Sequence, residues 1–147
     1  MKLRLQNDAL ARILHSSLYD RIASFCEKFT PEVPANVFAG NILARLYNSD
    51  DRLHILIDVD EDYKIKGHAI LEVQQQGDCK VIFCYQAQGD KGTNITFDAG
   101  MRYVDELAAA INAHSAMFTA VQPSKAFEKK YGYKAVRTVM VKNYEQE

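Results

Sequence analysis

Three stretches in the middle of the chain change polarity with a period of two, and only short polar connections separate them. Leu53, Ile55, Ile57 and Val59 alternate with His54, Leu56, Asp58 and Asp60. Ile65, Gly67, Ala69, Leu71 and Val73 alternate with Lys64, Lys66, His68, Ile70 and Glu72, and Val81, Phe83, Tyr85 and Ala87 mark one face of a third run. Successive side chains of an extended strand point to opposite faces, so each run is predicted as a strand, the first with one solvent-facing side. The connections around Glu61-Asp62 and at Gln75-Gln76-Gly77-Asp78 are too short for a helical crossover. The strands therefore run antiparallel, as a meander. Such a sheet must be covered by whatever precedes and follows it.

The flanks supply that cover. Leu3 and Leu5 alternate with Arg4 and Gln6 as a short opening strand, and Asn7 or Asp8 offers an N-cap. Leu10, Leu14, Leu18, Ile22, Phe25 and Phe29 then recur at steps of three or four, the apolar stripe of a core-facing helix. Thr30-Pro31-Glu32-Val33-Pro34 ends it, and Pro34 opens a second helix through Phe38, Ile42 and Leu46 to the turn at Asn48-Ser49-Asp50-Asp51. After the meander, a polar, glycine-containing loop leads into a helix carrying Phe97, Met101, Val104, Ala108 and Ile111. Ala116 to Val121 is predicted as a short buried strand, Ser124 caps a brief helix through Lys130, and Tyr133 to Val141 is predicted as a final strand. Residues 1–147 are expected to form one α/β (α+β) domain.

Composition narrows the function classes. With 147 residues, 48% hydrophobic and 25% charged, the chain can build one core of ordinary size. A net charge of −1 gives no overall pull toward nucleic acid or anionic lipid, and Lys64, Lys66, Lys129, Lys130 and Lys134 are scattered. No run approaches the roughly 20 apolar residues of a membrane span and no signal-like segment opens the chain, so a cytoplasmic protein is expected. Cys26, Cys79 and Cys84 lack Cys-x-x-Cys spacing and are expected as free thiols, with Cys84 also weighed as a reactive nucleophile. His54, Asp58, His68 and Glu72 share strand parity, either as converging acid–base groups or as a polar sheet face, and no metal site is expected.

The order strand, two helices, three-strand meander, loop and helix, strand, short helix, strand resembles the GNAT superfamily of acyl-CoA-dependent N-acetyltransferases over almost the whole chain. Gly67-His68-Ala69-Ile70-Leu71-Glu72-Val73 is similar to the family's third strand, and Phe127-Glu128-Lys129-Lys130-Tyr131-Gly132-Tyr133 to its aromatic-x4-Gly-aromatic ending. The resemblance implies a central mixed, mostly antiparallel sheet flanked by helices. It also implies acetyl-CoA as cosubstrate and the amine of a small molecule or protein as acceptor. A family loop of the form Gln/Arg-x-x-Gly-x-Gly/Ala holds the cofactor pyrophosphate, because glycine lets the backbone approach and free N–H groups favour negative charge. The matching residues are Gln86, Ala87, Gln88, Gly89, Asp90, Lys91, Gly92 and Thr93, with lysine in place of the last small residue and a carboxylate at Asp90. Where family members place a proton-donating tyrosine this chain has Glu128, which either donates a proton or belongs with Lys129 and Lys130 to a solvated face; Tyr131 and Tyr133 are nearby substitutes, Tyr133 filling the motif's aromatic core position, so Tyr131 is taken as general acid and Glu72 as the candidate base. The alternative is a noncatalytic member that serves as a binding or assembly module of phage type. A homo-oligomer formed by edge pairing of the closing strand is left open.

Overall fold

The alternating runs form the strands they predict. The computed structural model describes residues 2–4, 13–90, 94–119, 125–137 and 139–144. In chain order the elements are β1 (Lys2–Arg4), α1 (His15–Phe29), α2 (Ala35–Tyr47), β2 (Leu53–Val59), β3 (Ile65–Gln76), β4 (Cys79–Gly89), α3 (Asn94–Ile111), β5 (Ser115–Phe118) and α4 (Lys125–Tyr131). The strands make one sheet in the order β1-β2-β3-β4-β5; every neighbouring pair is antiparallel except β4 and β5, which are parallel. Gly77, with φ of +61°, turns the β3–β4 hairpin through the left-handed region that glycine adopts without strain. The N-cap expected at Asn7 or Asp8 lies outside the described residues.

Parity on the strands assigns two cores. Leu53, Ile55, Ile57 and Ile70 pack under Leu18 and Ile22 of α1 and Ala39, Ile42, Leu43 and Leu46 of α2. Leu56, Leu71 and Ile82 pack on the other face against Val104 of α3, with Leu107 and Ile111 beside them. The second face of β2 is therefore not wet, as the alternation predicts, but buried under α3. His54 is only 4% exposed there, and its ring Nδ1 lies 2.7 Å from the Tyr103 hydroxyl. A buried imidazole is tolerated when its polar atoms are met.

Two further expectations are corrected. Leu53 lies opposite Glu72 and Ile57 opposite His68, so the carboxylate and imidazole of β3 face α1 and α2 while His54 faces α3. His54 and Asp58 do not converge with His68 and Glu72, because pairing rather than sequence parity decides which residues share a face. The final strand is also not formed: residues 133–137 and 139–144 belong to no strand, and Val136, Val139, Met140 and Val141 are exposed. Their β propensity describes a fit to a pleated, half-buried surface, and alone it does not pair a segment.

Candidate active site at the fork between β4 and β5

β4 is longer than its parallel partner. The register runs from Val81 opposite Ser115 to Cys84 opposite Phe118, where β5 ends. From Gln86 to Gly89, β4 is paired with β3 alone among the described residues. At the point of divergence β4 carries a bulge, because Leu71 pairs with Cys84 and Ile70 with Gln86, which leaves Tyr85 as the extra residue. A bulge breaks the ladder locally and re-aims side chains. Tyr85 and Gln86 consequently both meet the α1/α2 layer, and Ala87 does not share the face of Tyr85 as the simple alternation predicts.

The residues matched to a phosphate loop divide into two groups. Gln86, Ala87, Gln88 and Gly89 are strand, paired with Ile70, Ala69, His68 and Gly67, so the strand ends one residue before Asp90. The Gln86 side chain is 3% exposed and spent in the core: its Nε2 donates to Ile22 O at 3.2 Å and Cys26 Sγ at 3.3 Å. Only the backbone of Gln86 is left to face the fork. Lys91, Gly92 and Thr93 lie outside the described residues.

Gln86 also begins a chain of contacts that ends on Asp90. Its Oε1 is 2.8 Å from His68 Nε2, and His68 Nδ1 accepts from Arg21 Nε at 3.2 Å. Arginine has no acceptor, so the imidazole proton sits on Nε2 and is given to Gln86. Burial, opposed by the Gln86 bond and aided by the Arg21 charge, brings the His68 pKa down to about 4. Arg21 further donates to Ile65 O at 3.2 Å and to Asp90 Oδ1 at 3.1 Å.

On the same face of the sheet, Phe38, Asn41, Ile42, Ala44, Arg45, Asn48 and Tyr85 line a cleft of about 500 Å³. Glu72 lies behind it. Its Oε1 accepts from Tyr85 Oη at 2.9 Å and Gln74 Nε2 at 2.8 Å, and Oε2 lies 2.6 Å from Arg45 Nη2. That last contact is close charge pairing, since the Arg45 N–H does not aim at the oxygen well enough for a hydrogen bond. Arg45 Nε donates to Asp50 Oδ2 at 2.8 Å, which leaves one guanidinium between two carboxylates. Burial pushes the Glu72 carboxyl up, but the bonds from Gln74 and Tyr85 and the close charge of Arg45 outweigh it and hold the pKa below the ordinary value.

Across the sheet the aromatic-x4-Gly-aromatic motif has a mechanical reason. Gly132 takes φ of +76° past the end of α4, and the Tyr133 N–H donates to Phe127 O at 3.2 Å, closing the helix end across residues six positions apart. That turn brings the rings of Tyr133 and Phe127 to 5.1 Å and 4.9 Å from Phe118, the residue at which the fork opens. Tyr131 lies beside Phe127, and its hydroxyl donates to Asp98 Oδ1 in α3. Lys130 Nζ pairs with the same carboxylate at 3.0 Å. The bond to Asp98 raises the Tyr131 pKa and so keeps the phenol protonated. Glu128 is exposed. Glu72 and Tyr131 thus sit on opposite faces of the sheet, flanking the fork.

Cys84 stands at the fork itself, but burial pushes its thiol up to about 12, which removes the thiolate a nucleophile needs. Among the described residues no three His, Cys, Asp or Glu side chains gather as metal ligands, and no helix is long and apolar enough to cross a membrane. Arg21 and Arg45 are the site residues that sequence reasoning missed. The signal was indirect: Asp90 beside a phosphate loop and Glu72 on an inward-facing position both require a cation.

The fold has counterparts among solved structures. An aminoglycoside acetyltransferase from an uncultured soil metagenomic sample superposes with a TM-score of 0.68 at 18% identity, over 99% of this chain and 98% of that one. A predicted acetyltransferase from Clostridium acetobutylicum, solved with acetyl-CoA, gives 0.67 at 18% identity over 97% and 96%. A Trypanosoma brucei acetyltransferase gives 0.66 at 15% over 98% and 99%. The chain has the GNAT fold. At the level of sequence, no family model and no curated protein matches it. The GNAT likeness is therefore carried by backbone geometry, with side chains largely replaced.

Proposed function

We propose that this GNAT-fold chain is an N-acetyltransferase that moves an acetyl group from acetyl-CoA to an amine. The observation that carries the reading is the fork: a bulged β4 that outruns its parallel neighbour and runs directly into the turn before α3. Backbone along Tyr85–Gly89 is an edge on which an extended thioester arm can lie, and Gly89 gives it room beside the turn that would receive the phosphates. Gln88, Gly89 and Asp90 with the following Lys91, Gly92 and Thr93 form the proposed cofactor cradle, to which Gln86 and Ala87 contribute backbone.

The acceptor enters from the α1/α2 side in this reading, over the cleft lined by Phe38, Asn41, Arg45 and Tyr85. Arg45 pairs with both Asp50 and Glu72 and Arg52 with Asp50, so two guanidiniums offset two carboxylates there, and the reading of an amine acceptor rests on Glu72 rather than on a net charge. Glu72, held below its ordinary pKa, stays ionised; its role is to hold the arriving ammonium and pass its proton to solvent. The neutral amine nitrogen then attacks the thioester carbonyl, the N–H proton it must lose to become an amide passes to solvent, the C–S bond breaks, and the sulfur takes a proton as free CoA. Tyr131 is the proposed proton donor, reached from Phe127 at the open end of the fork.

The inward commitment of Gln86 and the exposed Glu128 favour a second reading, a GNAT-fold module that binds a macromolecule and ignores the cosubstrate. Melting with and without acetyl-CoA separates the two. Ligand at 100 times its Kd adds about 2.7 kcal/mol, a rise of roughly 5–10 °C for a domain of this size. Such a rise, followed by release of free CoA in the presence of an amine, supports the transferase. No rise at millimolar acetyl-CoA supports the module.

A further inference from the structure

Three half-buried aromatic rings follow one another along the cleft. Phe38, in the first turn of α2, meets Tyr85 at 5.7 Å between ring centroids, and Tyr85 meets Phe83, two residues back along β4, edge to face at 4.9 Å. Phe83 lies opposite Glu72 in the register of β3 and β4, and Glu72 accepts from the Tyr85 hydroxyl, so one carboxylate stands beside two of the three rings. The Glu72 side chain is 15% exposed. Asn41, Arg45 and Asn48 follow Phe38 at steps of three, four and three, which puts them on its side of α2, and the two exposed asparagines form the rim.

Charge alone does not select a ligand for this cleft. Arg45 and Arg52 offset Asp50 and Glu72, so a molecule with several ammonium groups meets no excess of carboxylate. Affinity must come from the rings and from a single carboxylate. Ring faces attract a cation and pack against a flat apolar group, and a cleft of about 500 Å³ has the size for a small molecule. We propose that the acceptor is a primary amine carried on an aromatic body, its ring packed on Phe38 and Tyr85 and its ammonium turned to Glu72, with Phe38 as a specificity-determining residue. The inference rests on the acetyltransferase reading above and names the class of amine: aromatic amines in preference to ringless aliphatic amines and polyamines.

The chain contains no tryptophan, so the indole emission of tryptamine reports its binding without a protein indole in the background. Tryptamine is titrated into the full protein in the presence of CoA, which has no acetyl group to give, and hexylamine and spermidine are used to displace it. Tryptamine is expected to bind at least about fivefold more tightly than hexylamine, which carries its ammonium on a chain without a ring, and spermidine is expected to displace it no better than hexylamine does. Phe38→Leu keeps an apolar side chain and removes the ring; it is expected to weaken tryptamine roughly fivefold and to leave hexylamine within about twofold. Equal weakening of both amines means that Phe38 only packs, and it overturns the inference, as does a wild-type protein that fails to bind tryptamine or prefers either of the other amines. Should Phe38→Leu not fold, the wild-type comparison of the three amines decides alone. Release of CoA from acetyl-CoA with spermidine but not with tryptamine overturns the amine class and keeps the transferase. A protein that neither binds acetyl-CoA nor releases CoA with any of the three overturns the underlying reading, and the acceptor role with it.

Discussion

His68 should make the protein sensitive to mild acid. Its folded pKa of about 4, set chiefly by burial, lies well under the ordinary 6.5, so the folded state binds fewer protons than the unfolded one between those values. Stability is therefore full above pH 6.5, falls as pH drops through that value, and stops falling below about 4. Linkage gives a loss of roughly 2 kcal/mol by pH 5 and about 3 kcal/mol once the folded group titrates. The first figure corresponds to a drop in melting temperature of about 6 °C for a domain of this size. Asp50 and Glu72, whose pKa values are lowered from 3.8 and 4.5, add their own loss only as pH falls toward those ordinary values, so the step from pH 7 to pH 5 is chiefly that of His68. Urea unfolding at pH 7 and pH 5 measures the loss, and His68→Gln isolates it. Glutamine can still accept from Arg21 and donate to Gln86, so the variant loses stability at pH 7 through its missing contact with the Phe25 ring but gains a flatter pH profile. A variant that keeps the full wild-type loss between pH 7 and pH 5 refutes the reasoning.

Arg45→Met leaves Glu72 without its cation and Asp50 with Arg52 alone; the pair is partly exposed, so a loss of about 1–2 kcal/mol is expected from urea midpoints at pH 7. Among the thiols, Cys79 is exposed, whereas burial raises the pKa of Cys26 and pushes Cys84 up to about 12. Iodoacetamide at pH 8 should therefore label Cys79 in the native protein, and peptide mapping that finds Cys84 modified first would contradict its assignment as inert. If the chain transfers acetyl groups, Glu72→Gln should raise KM for the amine by roughly tenfold, and Tyr131→Phe should lower kcat by about 10²-fold with KM little changed. Steady-state rates of CoA release check both, and full activity in either variant removes that residue from its role. Gly89→Glu, which adds bulk and charge beside Asp90, should abolish acetyl-CoA binding while the apo melting temperature is kept; unchanged affinity excludes this turn as the cradle.

Much of the scaffold could be read locally. Period-two runs joined by short polar turns admit little but an antiparallel meander, and the stripe through Leu18, Ile22 and Phe25 admits little but a helix lying on it. The second face of β2 escaped that reading because His54 looks like a solvent-facing group, and only its contact with Tyr103, some fifty positions away, makes it a core residue. Arg21 and Arg45 escaped for a similar reason. A cation beside an apolar helical stripe has the appearance of a solvated flank, and its burial against His68 or Glu72 depends on where the helix lands on the sheet.

The bulge at Tyr85 is the feature on which the site most depends, and nothing in the sequence around it announces one. Phe83, Cys84, Tyr85 and Gln86 include no glycine, and their alternation reads as uninterrupted strand. Its consequence is a change of parity: Gln86 turns into the core beside Cys26, and the residues aligned with a glycine-rich loop become strand as far as Gly89. A motif counted from Gln86 therefore assigns side-chain roles to positions that offer only backbone. Backbone N–H groups are the same whatever side chain they carry, provided the chain can approach closely. The departures from the family pattern at Asp90 and Lys91 thus bear on the charge at the mouth of the site more than on the existence of the edge. Charge, unlike backbone geometry, can be altered by a residue distant in sequence, and Asp90 meets Arg21 of α1 at 3.1 Å.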